Sequence, residues 1–176
     1  MSVTIDVTDQ DVFAAVRAVL LSLVPPNTPI QQGQANRVAL PAASMGFVIM
    51  THLEQNRLST NVHEYPKTEN PTTKAVKQST EYKMQLDFYG AQSQQWALEA
   101  MMLFRDEYAC ALMPPNIQPL HADNAMQMPL INGEEQYEQR WKMTLTLQYN
   151  PTVTMSQDYA NTLSVGVHEV DTTFRP

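Results

Sequence analysis

The sequence predicts an α+β fold in which two helices pack on one face of a mixed, mostly antiparallel β-sheet that includes a long β-hairpin. Residues 81–89 and 140–149 alternate apolar and polar side chains, which is typical of strands with one covered face. Between them, residues 91–113 carry apolar side chains three and four positions apart, which places them along one side of a helix. The simplest arrangement is a helix lying across the apolar face of a sheet.

Length and composition favour one globular domain over residues 1–176. The chain has only 16% charged residues, which fits a protein that buries surface in partners. Its net charge of −7 argues against a nucleic-acid-binding surface of clustered Lys and Arg. Because no membrane-span or signal pattern is present, we expect a soluble protein made in a reducing compartment. The single cysteine, Cys110, excludes an internal disulfide and is expected to be buried on its helix.

The first predicted helix covers residues 9–24. Thr8 precedes it as the N-cap, and Asp11 stands at the third helical position, so the two form a weak capping box. Pro25 and Pro26 end the helix. Its apolar stripe consists of Val12, Val16, Val19, Leu20 and Leu23.

The next segments are predicted strands of different character. Residues 30–38 are polar for a strand, so they form either an edge strand or an extended arm. Residues 45–53 are strongly strand-like, and residues 57–65 continue with more polar side chains. Residues 54–56 either turn a hairpin or belong to one long bent strand, and the pattern allows both.

Residues 66–80 are predicted to form the mobile tip of the long hairpin. Only Ala75 and Val76 are apolar, so the segment buries too little surface to offset its ordering entropy. A loop of this length is either a partner-binding arm or an insertion without a function. The candidate partner-contact residues are Pro66, Lys67, Pro71, Lys74 and Lys77.

Residues 116–136 are irregular but apolar, and we expect them to pack on the body or on a neighbour. The pair at 132–133 is Asn-Gly, a strong turn signal before the strand at 140–149. Three acidic residues near this turn are expected to form a solvated acidic rim: Glu134, Glu135 and Glu138.

Two further alternating stretches follow residue 150. Val153 and Met155 are expected to extend a strand, and Leu163, Val165 and Val167 alternate again before a polar C-terminal end.

We find no motif for catalysis, a cofactor or a metal. The four histidines lack metal-ligand spacing, and one cysteine argues against a zinc site. There is no G-x-S-x-G motif, and the five glycines form no phosphate-binding loop. A binding or enzymatic domain, which is a different functional class, would centre on His121, Asp123 and the acids near Glu134.

A family resemblance adds what the residue chemistry leaves open. It is carried by residues 32–41, 47–51 and 56–61, by residues 87–90 before the Trp96 helix, and by residues 134–137, 140–141 and 147–150. In order and spacing these segments resemble the neck-type terminator proteins of tailed bacteriophages. The likeness runs from the first helix to Asn150, and residues 151–176 match least well.

The resemblance implies a structural subunit that forms a homo-oligomeric ring, expected to be a hexamer, on the end of the tail tube. Such a ring stops tube polymerisation, joins the tube to the head connector and lets DNA pass through its lumen without specific binding. The resemblance further implies no enzymatic activity, no cofactor, a place in the virion neck and assembly in the host cytoplasm. A head-completion or adaptor protein of the neck is the near alternative.

Overall fold

The computed structural model of the protein describes residues 3–34, 39–67, 72–128, 130–131, 137–158, 160 and 162–167. The described residues form a mixed, mostly antiparallel α+β fold, which confirms the predicted class. None of the described helices is long and apolar enough to cross a membrane. The helices are α1 (Asp9–Leu23), α2 (Ser93–Leu103) and α3 (Glu107–Leu112), with a short 3-10 turn at Ala43–Met45.

The strands divide between a six-stranded main sheet, a four-stranded second sheet and a two-stranded pair. In chain order they are β1 (Val3–Ile5), β2 (Ile30–Gln32), β3 (Phe47–Arg57), β4 (Val62–Glu64), β5 (Thr73–Lys77), β6 (Thr80–Tyr89), β7 (Ile117–Ala122), β8 (Met126–Gln127), β9 (Leu130–Ile131), β10 (Tyr137–Glu138), β11 (Arg140–Tyr149) and β12 (Thr152–Ser156).

The main sheet has the strand order β2-β3-β6-β11-β7, and β8 also pairs with β11. Its central strands β6 and β11 are antiparallel and pair along their whole length, from Thr80 opposite Tyr149 to Tyr89 opposite Arg140. Strand β2 lies at the edge and runs parallel to β3. The polar segment predicted as an edge strand or an arm therefore begins as an edge strand, while residues 35–38 lie outside the described residues.

The core lies between the main sheet and the three helices. The even-numbered side chains of β6 are almost fully buried against the helices, because alternate residues of a strand point to one face. Helix α1 contributes the predicted stripe, of which Val12, Val16 and Val19 have no exposed surface. The buried apolar side chains that the two central strands direct towards the helices are Tyr82, Met84, Leu86, Phe88, Met143, Leu145, Leu147 and Tyr149.

The start of α1 confirms the predicted capping box. The Asp11 carboxylate accepts hydrogen bonds from the backbone N–H and the hydroxyl of Thr8, both at 2.7 Å. These bonds lower the pKa of Asp11. The helix ends at Leu23, one residue before the predicted end.

The single helix predicted over residues 91–113 is wrong, because the chain breaks between α2 and α3. The Arg105 guanidinium donates from Nε to the Ala122 carbonyl at 2.8 Å and from Nη2 to Asn124 Oδ1 at 3.0 Å. Asp106 then has an extended backbone at φ −112° and ψ 166°. The anchored Arg105 thus turns the chain towards β7 and starts a second, shorter helix.

The break changes which side chains are buried in α3. Ala109 and Met113 lie in the core, whereas Tyr108 and Leu112, which a single helix over residues 91–113 would place on its apolar side, are 38% and 48% exposed. Cys110 is also exposed, so its predicted burial is wrong for the same reason.

The long hairpin is present and passes from the main sheet into the second sheet. Strand β3 pairs with β6 from Phe47 opposite Tyr89 to Arg57 opposite Thr80, and the same hairpin continues as β4 paired with β5. Residues 54–56 lie within β3, so the chain forms a long strand there instead of a tight turn.

The predicted loop at residues 66–80 is partly wrong, because Thr73–Lys77 forms strand β5. This strand lies inside the second sheet, whose order is β1-β12-β5-β4, and pairs with a neighbour on each side. Few side chains of this segment are buried. Its strand is stabilised by backbone pairing with β12, which is far away in sequence. The predicted strand around Val153 and Met155 is confirmed as β12.

Candidate assembly surfaces

The main sheet has a polar face opposite the helices, and we refer to it as the polar face. Among the described residues of its three central strands it carries three cations and three carboxylates, so their formal charges balance. Most of its side chains are half-buried. They include Thr51 and Glu54 of β3, Glu81, Lys83, Gln85 and Asp87 of β6, and Arg140, Lys142, Thr144, Thr146 and Gln148 of β11.

An ion pair between Asp87 and Arg140 lies near one end of this face. Arg140 donates to Asp87 Oδ1 from Nη2 at 2.8 Å and from Nε at 3.0 Å, and Gln85 donates to the other carboxylate oxygen at 2.7 Å. The guanidinium also lies 5.7 Å from the ring centroid of Tyr89, which stacks on Phe47 at 4.4 Å. Hydrogen bonds to both carboxylate oxygens hold this side chain in place, which is a structural arrangement.

A shallow cleft of about 270 Å³ opens beside this ion pair. It is lined by polar side chains and backbone of β2, β3 and β6, with Asp87 and Arg140 at its wall. Catalysis by a carboxylate needs an oxygen that can reach a substrate proton. The oxygens of Asp87 instead accept from Arg140 and Gln85, so this carboxylate is part of a structural ion pair.

The other charges of the polar face form a second, more exposed cluster. Lys83 donates to Glu54 across the β3–β6 pair and lies 3.4 Å from Glu81. The hydrogen bond to Glu54 raises the pKa of Lys83, and the same bond lowers the pKa of Glu54. The lysine charge is therefore held beside carboxylates and is not available as a free cation for an anionic ligand.

The candidate hairpin-tip residues do not form one cationic cluster. Lys67 is exposed near the end of the described hairpin, whereas Lys74 and Lys77 lie on strand β5. Being three positions apart on a strand, the two lysines point to opposite faces of the second sheet. Lys77 pairs with Glu64 at 2.7 Å on one of these faces. Pro66 lines a small open cleft with Glu64, and Pro71 lies outside the described residues.

The acidic rim stays a prediction, because Glu134 and Glu135 lie outside the described residues. Glu138 is in the two-stranded pair, opposite Leu130, and is half-buried. The strands β9 and β10 flank the predicted Asn-Gly turn, whose residues are also outside the described part.

The site predicted for a binding or enzymatic domain, around His121 and Asp123, is poorly formed. His121 Nε2 lies 3.2 Å from Asp123 Oδ1, but both side chains are more than half exposed. Glu134, the third member of the predicted group, lies outside the described residues. The described residues contain no cluster of three or more His, Cys, Asp or Glu side chains arranged for a metal ion.

The second sheet exposes an apolar face, which we call the second-sheet apolar face. Cross-strand partners share a face in antiparallel pairs, and the pairing puts the aliphatic side chains of three strands on one side. Every described residue of β1, β4, β5 and β12 is at least partly exposed. The aliphatic members of the face are Val3, Ile5, Val76, Val153 and Met155, and its polar members are His63 and Lys74.

An open cleft of about 580 Å³ lies on the opposite, polar side of the second sheet. Asp6, Glu64 and Lys77 line it from this sheet, and Asn116 and Asn150 line it from the main body. Ser79 donates to Asn150 Oδ1 at 2.9 Å where the two sheets meet. The cleft is polar, and its Glu64 and Lys77 side chains already pair with each other.

Comparison with known proteins identifies one family. A family model described as phage neck terminator protein matches residues 10–173 of the chain. No curated protein sequence is significantly similar to it. Among solved structures, the chain is similar to the sheath/tube terminator of an extracellular contractile injection system, PVC, determined by cryo-EM in the extended state, with 15% identity and a TM-score of 0.46. This match covers 95% of the chain and 64% of that protein, so the chain spans less than two thirds of that protein's length.

Proposed function

Because the chain belongs to the phage neck terminator protein family, we propose that it is a structural virion protein that caps the end of the tail tube. Copies of the chain form a closed ring of about six subunits, as symmetric homo-oligomers close on themselves. The ring stops tube polymerisation and presents a surface to the head connector. The observation that carries this proposal is the family match over residues 10–173.

Open strand edges support the ring. In the described part of the chain, β2 ends the main sheet, and β1 and β4 end the second sheet. Unpaired edges invite pairing with another chain, and a closed ring satisfies them without leading to open-ended aggregation. The partners proposed here are further copies of this chain, the tail tube protein and the head connector or adaptor.

The charge distribution supports passage of DNA through the lumen without binding. The chain carries a net charge of −7, and the cations Lys83 and Arg140 on the polar face lie beside carboxylates. A grip on DNA needs free Lys and Arg side chains that replace counterions at phosphates. The proposed role needs no enzyme and no cofactor, and it places the protein in the virion neck after assembly in the host cytoplasm.

The decisive experiment combines purified chain with tail tubes of the same phage and images the mixture by negative stain. We expect a ring-shaped density at one end of each tube and shorter tubes when the chain is present during tube assembly. The mass of the free or tube-bound assembly should be a multiple of the 19.9 kDa chain. Tubes that keep growing, together with a chain that stays monomeric and binds no tube end, would refute the proposal.

A further inference from the structure

The edges of the second sheet differ in their chemistry. At one edge, β4 carries His63 and Glu64, and Glu64 pairs with Lys77, so this edge is charged. At the other edge, β1 carries Val3 and Ile5, which are 64% and 50% exposed. Charged residues protect a strand edge from pairing with another chain, and an apolar edge without them favours such pairing.

The chain also contains an apolar segment that it leaves uncovered. Leu163, Val165 and Val167 are 88%, 72% and 87% exposed, and residues 162–167 form no strand. Their spacing of two would place all three side chains on one face if the segment became a strand. This face matches the alternation of Val3 and Ile5 on β1.

We propose that residues 163–167 of one copy add a strand to the β1 edge of the second sheet of a neighbouring copy. The three aliphatic side chains then continue the second-sheet apolar face beyond Val3 and Ile5. Backbone hydrogen bonds to β1 supply the pairing, and the alternate side chains supply the register, as in other cases of strand addition.

The reach of the segment fits an adjacent copy. Leu163 follows Ser156, the last residue of β12, by seven positions. A fully extended chain of this length spans at most about 25 Å, which limits the acceptor to a subunit in direct contact with the donor.

We take a second copy of this chain as the occupant, because it accounts for both the open apolar edge at β1 and the uncovered apolar residues 163–167. In a closed ring each subunit donates its segment to one neighbour and accepts a segment from the other, so all β1 edges become paired. The inference rests on the proposed ring, but it adds which surface forms the contact. A strand from the tail tube or from another neck protein is the competing occupant.

Disulfide trapping between singly substituted copies tests the contact. In a C110S background, one copy carries Thr4→Cys and the other carries Ser164→Cys or Gly166→Cys. These positions lie between the apolar ones, so the apolar contacts are kept, and a Cβ at Gly166 meets no atom within 4 Å. We expect at least one mixture to give a disulfide-linked dimer of two 19.9 kDa chains. Neighbouring strands bring the Cβ atoms within disulfide distance, and two donor positions cover both registers.

The matched control replaces Thr4→Cys by Met102→Cys, which lies on α2 and is 60% exposed. Trapping with Thr4→Cys should be about tenfold faster or more than with this control, because only close strands satisfy disulfide geometry. Equal rates would overturn the inference, and so would a chain carrying both Thr4→Cys and Ser164→Cys or Gly166→Cys that closes its disulfide within itself and gives no linked dimer.

A charge introduced at the contact gives an independent measurement. Val165→Asp should raise the concentration needed for half-assembly about tenfold or more, because a carboxylate would be buried against Val3 and Ile5. Ser164→Asp adds the same charge on the opposite face of the added strand and should raise the concentration for half-assembly much less. If both variants assemble like the unmodified chain, the contact does not exist.

The two proposals fail in different ways. A ring that caps tubes but shows no trapping through Thr4 overturns only the strand-addition contact. A trapped assembly that neither binds tubes nor limits their length overturns only the terminator function.

Discussion

Arg140 binds a single oxygen of Asp87 through two guanidinium nitrogens, at 2.8 and 3.0 Å. The two residues are not direct cross-strand partners, because Lys142 lies opposite Asp87 and Tyr89 lies opposite Arg140. The ion pair therefore runs diagonally between β6 and β11 and joins the two central strands on the polar face. The Asp87 side chain is 5% exposed and that of Arg140 is 25% exposed, so water screens the pair only weakly.

We predict that Arg140→Gln lowers the free energy of unfolding by about 3 kcal/mol, because it removes the charge that hydrogen-bonds the nearly buried carboxylate of Asp87 and leaves only the cross-strand Lys142 as a nearby cation. Equilibrium unfolding in urea measures the change, provided that the slope with denaturant stays constant. Adding Asp87→Asn to Arg140→Gln should restore much of the loss, since the uncompensated charge is then gone.

The control for this prediction is the exposed pair of Lys77 and Glu64, whose side chains are 47% and 52% exposed. Lys77→Gln should change the free energy of unfolding by about 0–1 kcal/mol. Similar losses for Arg140→Gln and Lys77→Gln would mean that the Asp87 site is open to water.

Gly46 is predicted to tolerate no side chain. Its φ is +67°, and a Cβ built there would lie 2.5 Å from Cη2 of Trp96 and 3.3 Å from the Tyr89 carbonyl. Gly46→Ala should therefore lower the free energy of unfolding by about 2–4 kcal/mol, from the left-handed backbone and the overpacked ring together. Thermal or urea unfolding checks it, with Gly166→Ala as the control at an open position, where a change within about 0.5 kcal/mol is expected. A Gly46→Ala variant as stable as Gly166→Ala would contradict the packing.

The sequence predicted the elements whose pattern reflects local burial. Strands β6 and β11 alternate because their helix-facing side chains are buried, and α1 has its caps and stripe in its own sequence. Strand β5 was not predicted from the sequence. Because neither face of its sheet is buried within the described chain, its residues do not alternate between apolar and polar in the way that identifies a strand. Its pairing with β12 depends on a segment more than 70 residues away.

The pair of Asp87 and Arg140 could not be predicted for a related reason. Both residues stand at polar positions of the alternating stretches 81–89 and 140–149, but their contact needs the strand order and register, which the sequence does not encode locally. The break between α2 and α3 similarly depends on the contact of Arg105 with the Ala122 carbonyl, a tertiary interaction that overrides helical spacing. In each case the missing information was a partner distant in sequence.

Tyr82 is predicted to make the fold sensitive to alkaline pH. Burial, followed by its hydrogen bond to the Asp9 carboxylate, strongly raises the pKa of the phenol. Because the folded pKa is raised, the stabilisation is fully present below the unfolded pKa of about 10 and is lost as the pH rises above it. In Tyr82→Phe, the fall of the free energy of unfolding with pH above about 10 should be less steep, by up to about 1.4 kcal/mol per pH unit. Urea unfolding at a series of alkaline pH values gives both slopes, and equal slopes would refute the assignment.

Trypsin should cut the hairpin first after Lys67. This residue is exposed near the end of the described hairpin, whereas Lys74 and Lys77 lie on β5, which is paired on both sides. Protease cleavage needs a locally unfolded segment, and a paired inner strand opens less often than a loop end. Mass spectrometry of early digests should identify this bond, and Lys67→Gln should remove that cut alone. First cleavage after Lys74 or Lys77 would show that β5 is not stably paired, and resistance of the Lys67 bond in assembled particles would indicate that the hairpin contacts a neighbour.

The last prediction is that the chain does not bind DNA, although DNA is proposed to pass through its ring. Binding to a duplex requires several Lys or Arg side chains that neutralise phosphates, and each contact steepens the loss of affinity with salt. Here Lys77, Lys83 and Arg140 each lie within 3.4 Å of a carboxylate oxygen, and the net charge is −7. A channel for a moving genome is served by weak repulsion, because every attractive contact would add friction.

Fluorescence anisotropy of a labelled duplex at about 50 mM salt, where electrostatic attraction is strong, should show no saturable binding at micromolar chain. A variant with Glu54→Lys and Glu81→Lys provides the positive control. It adds cations beside Lys83 on the polar face and should bind with an affinity that falls as salt rises. If the unmodified chain itself bound at micromolar concentration with such a salt dependence, its few free cations would have to lie together on one surface. The lumen would then be an attractive one, and the proposed mode of DNA passage would be wrong.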